Sequence, residues 1–172
     1  MGPVTAEIEI DVPREDAFAA IADLARRPSF TDHFLSGYRL TRIESSGVGA
    51  GARYRLGPAR RKVWMDTAIA EVDAPHRVVE HGYGGRANRI PVTTVWETLG
   101  GAGGLTTVRV STWTEPANPL DRALEALSGT VRAQERGWRQ ALRRLRDQLE
   151  SSEPAPAAIA PAGGNRYATG IP

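Results

Sequence analysis

The sequence predicts an α+β fold in which a seven-stranded antiparallel sheet packs against one long C-terminal helix. Three observations predict it. Residues 4–12 alternate strictly between apolar and polar side chains, as a half-buried strand does. Six further segments with strand character follow across residues 38–114, separated by short turns, which is typical of an antiparallel meander. A continuous amphipathic helix pattern then closes the ordered part of the chain.

The first strand leads into a helix. Asp11 and Pro13 form a helix-start signal, because a carboxylate suits the free N–H groups of the first turn and proline needs no hydrogen-bond acceptor there. Apolar residues at helical spacing continue up to Pro28, which predicts a helix of about four turns. A short helical or irregular piece is expected over Ser29–Leu35.

The six later strands have turn chemistry between them, rich in glycine, proline and aspartate. Glu97 and Arg109 are expected to face water, so the residues that alternate with them belong to the opposite, inward face. These inward residues are Val92, Thr94, Trp96, Val108, Val110 and Thr112. The predicted strands are Tyr38–Glu44, Ala52–Leu56, Val63–Val72, Arg77–Tyr83, Ile90–Leu99 and Leu105–Thr114.

The C-terminal helix is predicted to begin at Asn118-Pro119 and to end near Glu150. Its apolar seam advances in eight steps from Leu120 to Leu149, about 3.6 residues per step, which is the period of a straight helix lying on its own sheet. Gln134 is the one polar residue in that seam. One flank carries only small residues, so either the sheet approaches closely there or a void remains. The flank consists of Ala123, Ala126, Thr130, Gly137 and Ala141.

Composition narrows the class of protein. The chain of 172 residues fits one domain, and the absence of cysteine excludes disulfides, thiol catalysis and cysteine-ligated metals. No apolar stretch reaches the roughly 18 residues that a membrane span needs, and no signal peptide is apparent, so a cytoplasmic location is expected. Residues 1–150 form the predicted domain, and residues 151–172, rich in Pro, Ala and Gly, are expected to be a disordered tail.

The basic residues do not indicate nucleic-acid binding. All but Lys62 of the 22 basic residues are arginine, a bias typical of a GC-rich genome. The densest arginine run lies on the outer face of the C-terminal helix, where no aromatic residues interleave as stacking platforms would. A solvated helix face is the simpler interpretation, and no nucleic-acid partner is predicted.

Four segments carry a resemblance to a known family. They are residues 9–18 from strand into helix, the glycine turn at residues 47–54, the Glu-Val-Asp-x-Pro turn within residues 70–79, and the terminal amphipathic helix. Over roughly residues 4–150 the chain resembles the START/Bet v 1-like (SRPBCC) superfamily, especially its bacterial polyketide cyclase/dehydrase and lipid transport branch. The resemblance implies the helix-grip fold, a curved seven-stranded antiparallel sheet wrapped around a long C-terminal helix.

The resemblance also implies a function. Relatives hold lipids, polyketides, hormones or other hydrophobic ligands in a deep cavity under the terminal helix, and a minority cyclise or dehydrate them. Binding or transport of a hydrophobic small molecule, without a cofactor, is therefore the first hypothesis. A polyketide cyclase or dehydratase would need polar groups such as His81, Tyr83 or Arg89 in the cavity. A protein-interaction module would instead use Arg139 and Arg143 on the outer helix face.

The candidate pocket residues combine inward strand positions with the helix seam. Trp96 lies on the inward strand face, Trp138 and Gln134 lie in the seam, and His81 shares a strand face with Tyr83. Asp32 and His33 are adjacent in the sequence, near the expected pocket mouth. Two interpretations remain open: an acid–base pair, or part of a solvated loop. No family catalytic set matches, and no metal-ligand spacing occurs. The full predicted set is Phe34, Tyr54, Met65, His81, Tyr83, Trp96, Gln134 and Trp138.

Overall fold

Seven antiparallel strands form one curled sheet in the order β1-β7-β6-β5-β4-β3-β2. The computed structural model describes residues 3–56, 62–85, 90–115, 130–151 and 158–160. Consecutive strands from β2 to β7 are neighbours, and β1 pairs with β7. The first two strands, β1 and β2, therefore form the two edges of the sheet. The elements are β1 (Val4–Ile10), α1 (Arg14–Ala22), α2 (Pro28–Thr31), β2 (Leu35–Leu40), β3 (Gly51–Leu56), β4 (Val63–Asp73), β5 (Arg77–Gly84), β6 (Ile90–Gly100), β7 (Thr106–Thr114) and α3 (Thr130–Glu150).

The two faces of β6 and β7 are as predicted. The cross-strand pairs Trp96–Val110 and Thr94–Thr112 are buried on the concave side. Glu97 lies opposite Arg109 on the outer side, within 3.9 Å of its guanidinium. Alternation along a half-buried strand therefore identified the inner face correctly.

Helix α1 is shorter than predicted. It spans nine residues and ends at Ala22, because Asp23 adopts an extended conformation (φ −94°, ψ 105°). The chain then turns toward the β2–β3 connection, where the Leu24 N–H donates to the Ser45 carbonyl over 2.7 Å. The apolar residues that suggested a continuing helix up to Pro28 instead pack as irregular chain, with Leu24 fully buried.

Strand β2 begins and ends earlier than predicted. Its first and last residues, Leu35 and Leu40, are buried and anchor the strand to the core. Ile43, which the prediction included in the strand, is 82% exposed and has no such anchoring. Packing of the two leucines therefore sets the bounds of this strand.

Helix α3 lies against β1 and α2. The buried residues on the face that it turns to the core are Trp138, Ala141, Leu142 and Leu145. The spacing of Trp138, Leu142 and Leu145 confirms the 3.6-residue seam over the described part of the helix, and Ala141 of the flank is buried beside it. The predicted start at Asn118-Pro119 and the seam residues before Thr130 lie outside the described residues. None of the described helices is long and apolar enough to cross a membrane.

Part of the predicted disordered tail is docked. Ile159 is half-buried against the core, and its N–H donates to the Ala25 carbonyl over 3.0 Å. The composition of this segment predicted too little apolar surface to hold it in a fixed conformation. Ile159 nevertheless contacts the irregular chain that follows α1. The rest of the segment beyond Ser151, apart from residues 158–160, lies outside the described residues.

Candidate ligand-binding site

Two tryptophans meet beneath α3. Trp96 projects from the concave face of β6 and is completely buried, and Trp138 descends from α3 with 4% of its surface exposed. Their ring centroids are 5.4 Å apart at 88°, an edge-to-face pair. Phe30 meets Trp96 at 6.4 Å, and Phe34 meets Trp138 at 4.9 Å, again edge to face. These four rings form the aromatic cluster, in which each such pair contributes about 0.5–1.5 kcal/mol beyond simple burial.

The glycine in the small-residue flank of α3 permits one of these contacts. A Cβ atom at Gly137 would lie 2.7 Å from Cδ2 of Phe34, well inside van der Waals contact. At this position the flank allows close approach of an aromatic ring, and the alternative of a void is wrong. Ala141 on the same flank is fully buried, whereas the side chain of Thr130 and the two earlier alanines lie outside the described part.

A second wall of the interior comes from β2, β3 and β4. Tyr38 and Tyr54 stack with ring centroids 5.5 Å apart and planes 4° from parallel. Met65 lies opposite Tyr54 in the β3–β4 ladder and is buried, with Gly84 of β5 leaving room for its sulfur. Burial raises the pKa of both tyrosine hydroxyls well above the usual range, and the charge of Glu80 raises it further against the opposing effect of Arg27. Both hydroxyls therefore stay protonated and able to donate hydrogen bonds.

A buried ion pair lies at the aromatic cluster. Arg27, in the irregular chain before α2, approaches Glu80 of β5 to 3.0 Å, and both side chains are less than 5% exposed. The same guanidinium nitrogen donates to the Ile21 carbonyl over 2.6 Å, and the guanidinium lies over the Trp96 ring at 4.4 Å. Thr67 donates to the other Glu80 oxygen over 3.3 Å. Two charges removed from water are tolerated only with such partners, because desolvation alone costs several kcal/mol per ion.

Three buried N–H groups, one on Arg27 and two in the aromatic cluster, have no hydrogen-bond partner in the described part of the chain. They are Nε of Arg27 and the indole Nε1 groups of Trp96 and Trp138. Buried donors are satisfied in the great majority of cases, so these three are available to an acceptor from outside the described residues. Oε1 of Glu80 has its ion-pair contact to Arg27 but accepts no well-aligned hydrogen bond within the described residues.

The structure corrects two of the predicted pocket residues. His81 and Tyr83 lie on the outer face of β5: His81 is exposed beside Thr93, 3.3 Å away, and Tyr83 is 55% exposed. The inward positions of this strand alternate with them, so Glu80 points into the core instead. Arg89, considered for catalysis, lies outside the described residues.

Five of the other predicted residues lie on the inner side. Tyr54, Met65, Trp96 and Trp138 are buried, and Phe34 joins them through the aromatic cluster. Gln134 is half-buried on α3, four residues before Trp138. Sequence reasoning missed Arg27, Tyr38 and Glu80. Glu80 follows two apolar residues in β5, so no clean alternation marks it as inward. Nothing local marks Arg27, which was assigned to a continuing helix.

Asp32 and His33 form a clasp to α3. Arg144 donates to the carboxylate of Asp32, and its guanidinium lies 3.2 Å from Nδ1 of His33. Nε2 of His33 is 3.1 Å from the Gly137 carbonyl. Partial burial lowers the pKa of His33, the Gly137 carbonyl opposes that effect, and the Arg144 charge adds to it. With both ring nitrogens engaged, the pair joins α2 to α3 and is not arranged as an acid–base couple.

No group of three or more His, Asp or Glu side chains that could hold a metal ion occurs within the described ranges. The polar groups of the interior instead suit an organic ligand: N–H donors from Arg27 and the two tryptophans, a carboxylate, and two phenol hydroxyls. Aromatic rings surround them. Such a mixture of apolar walls with a few fixed polar groups is typical of small-molecule sites.

Several solved structures share this architecture at low sequence identity. TTHA0849 from Thermus thermophilus is 17% identical with a TM-score of 0.64, and the match covers 86% of this chain and 96% of that one. Ginseng major latex-like protein 151 from Panax ginseng is 15% identical with a TM-score of 0.65, and the match covers 87% of this chain and 98% of that one. The KanY protein is 20% identical with a TM-score of 0.64, and the match covers 88% of this chain and all of that one. At these identities the likeness concerns the fold.

The fold defines the class: an α+β protein with the Bet v 1-like helix-grip architecture. The family follows from the sequence. Residues 1–150 match the family model described as "Polyketide cyclase / dehydrase and lipid transport", and the chain belongs to that family. No protein with a curated description matches the chain in sequence.

Proposed function

We propose that the chain binds a hydrophobic small molecule between the concave face of its sheet and α3. The observation that carries the proposal is the buried Arg27–Glu80 pair, set among aromatic rings with three N–H donors that have no partner in the described protein. A ligand that brings an acceptor oxygen to those donors compensates their desolvation, whereas an apolar core gains nothing from them.

The proposed ligand lies between two walls. The aromatic cluster on α2, β6 and α3 forms one wall, and the Tyr38–Tyr54 stack with Met65 forms the other. Flat, apolar groups of the ligand pack against these rings, and the polar groups at the ion pair fix its orientation. Gln134, half-buried on α3, offers a further amide to the ligand.

The first test is native mass spectrometry of the purified full chain, with identification of any small molecule that co-purifies. The second is a titration with a panel of hydrophobic probes, compared between the wild type, Trp138→Phe and the control Trp113→Phe. Trp113 projects to the outer face, where its indole donates to Glu115. We expect Trp138→Phe to weaken binding about tenfold, the value of one hydrogen bond to a buried donor, and Trp113→Phe to change nothing. Absence of any bound or binding hydrophobic molecule contradicts the proposal.

One observation favours a second candidate, a cyclase or dehydratase that acts on a poly-β-keto substrate. The hydroxyls of Tyr38 and Tyr54, kept protonated by burial, face the same interior as a carboxylate and a guanidinium. The hydroxyls and the guanidinium can donate hydrogen bonds to the enolate oxygen that develops during ring closure, and the carboxylate can accept the proton that is released. This candidate predicts that a bound substrate changes mass by loss of water and that Tyr54→Phe stops the change while binding persists. Recovery of every bound compound unaltered supports the carrier instead.

A further inference from the structure

Three arginines surround one tryptophan on the outer face of the sheet. The guanidinium carbons of Arg39, Arg53 and Arg55 lie 5.4, 5.0 and 4.4 Å from the ring centroid of Trp64. Arg55 is the cross-strand partner of Trp64, and Arg39 is the partner of Arg53, so three adjacent strands contribute. We call these four residues the arginine–tryptophan patch.

The patch has excess positive charge. Asp66 lies 3.4 Å from Arg53 and offsets part of it, while Lys62, held by Ser36 at 2.9 Å, adds another cation. Arg39, Arg55 and Lys62 are exposed to solvent, and Arg53 and Asp66 are about a third exposed. Tyr83 pairs with Asp66 across β4 and β5, so its exposed ring lies on the same outer face. The surface is thus cationic with aromatic residues among the charges.

The geometry favours an anionic surface over nucleic-acid bases. Guanidinium groups lie over the Trp64 ring, so its faces are not open for the base stacking that single-stranded nucleic acid uses. Contact with the ring also holds the arginines in place, which reduces the side-chain entropy lost when they bind phosphate. The outer side of a curled sheet is convex. A convex face offers no groove for a single nucleic-acid strand, but it can contact a broad, flat surface.

We propose that the arginine–tryptophan patch docks the protein on an anionic lipid bilayer. Lipid phosphates contact Arg39, Arg53 and Arg55, and Trp64 with Tyr83 lies at the headgroup level, where such amphipathic rings are favoured. Docking does not depend on the proposed ligand site, because the patch lies on the opposite face of the sheet. If both proposals hold, the membrane is where a water-insoluble ligand is exchanged.

The test measures binding of the full chain to phosphatidylcholine vesicles with and without about a third of phosphatidylglycerol. The variant R39Q/R53Q/R55Q is compared with R136Q/R139Q/R143Q, which removes the same charge from the exposed face of α3. Each arginine near an anionic surface contributes about fivefold to the partition coefficient (about 1 kcal/mol), so the patch variant should bind about 100-fold more weakly. The helix variant should stay within about fivefold of the wild type.

A second variant, Trp64→Leu, keeps every charge but removes the ring that orders them. We expect it to lose roughly threefold or more in partition, with ligand binding in the interior unchanged. Any of three results overturns the proposal: equal affinity for neutral and anionic vesicles, equal losses in the two triple variants, or tighter binding to a single-stranded oligonucleotide than to the vesicles. Loss of ligand binding with vesicle binding intact bears on the ligand proposal alone.

Discussion

At the scale of single residues, the Arg27–Glu80 pair has two effects that differ in sign. Burying both charges is unfavourable, and continuum arguments make such a pair roughly neutral against an apolar replacement. The pair nevertheless fixes geometry, because Arg27 also bonds the last turn of α1 and stacks on Trp96. We therefore expect its contribution to appear mainly when one partner is removed.

Glu80→Gln tests that expectation. The substitution leaves the Arg27 guanidinium buried without a counter-charge, so we expect a loss of about 3–5 kcal/mol in the free energy of unfolding. The matched control is Glu71→Gln, which breaks the exposed Arg77–Glu71 pair, 3.2 Å apart, and should cost less than about 1 kcal/mol. Urea denaturation near neutral pH measures both. Similar losses in the two variants would show that the interior pair is hydrated like the surface pair.

Individual residues also show where sequence reasoning succeeded and where it did not. Trp96 and Trp138 were identified because a strand period and a helix period each fix which side chains point inward. Glu80 was missed because Val78 and Val79 are both apolar, so β5 shows no clean alternation, and a buried carboxylate makes sense only once its partner is known. That partner, Arg27, comes from chain that looks helical, and no local pattern connects the two.

At the scale of elements, α3 is positioned by a close contact and by a clasp. The contact is between Gly137 and Phe34, and the clasp joins Arg144 to Asp32 and His33. Both connect α3 to the segment between α2 and β2. The hydrophobic seam of α3 was readable from its period, but these contacts were not, since they depend on where an irregular segment lies.

A double-mutant cycle measures the close contact. In the wild-type background, Gly137→Ala removes a helix-weakening glycine, a gain of about 1 kcal/mol, but forces its Cβ into the Phe34 ring. We expect that overpacking to cost about 1–3 kcal/mol, which leaves a net loss of up to about 2 kcal/mol. In a Phe34→Ala background the clash is gone, and the same substitution should stabilise by up to about 1 kcal/mol. Identical effects in both backgrounds, measured by chemical denaturation, would contradict the contact.

The clasp predicts a pH dependence. Burial keeps the pKa of folded His33 below its unfolded value, so as pH falls the unfolded chain takes up the proton first. The stability contributed by neutral His33 is therefore complete above the unfolded pKa, near 6.5, and is lost as pH falls through the folded pKa. The advantage of the wild type over His33→Gln should shrink between about pH 8 and about pH 5, as followed by urea denaturation. The exposed His81→Gln serves as the control, and a matching decline there would rule out His33 as the cause.

At the scale of the whole molecule, the curled sheet separates two surfaces with different chemistry. The concave side is aromatic around one ion pair, and the convex side carries the arginine–tryptophan patch. The fold itself was predictable, because seven strands and one long helix each leave a periodic pattern in the sequence. The convex patch was not, because Arg55 and Trp64 become neighbours only through the β3–β4 register.

In the described part of the segment after α3, Ile159 contributes to this architecture. Ile159 packs half-buried on the core and bonds the Ala25 carbonyl, next to the chain that carries Arg27. We expect truncation after Ser151 to cost about 1 kcal/mol in the free energy of unfolding, roughly half the value of a fully buried isoleucine. Truncation after Ala160 keeps the contact and should be neutral, and Ile159→Ser in the full chain should reproduce most of the first loss. If both truncations lower the unfolding midpoint equally, the stabilising contact lies beyond Ala160 and not at Ile159.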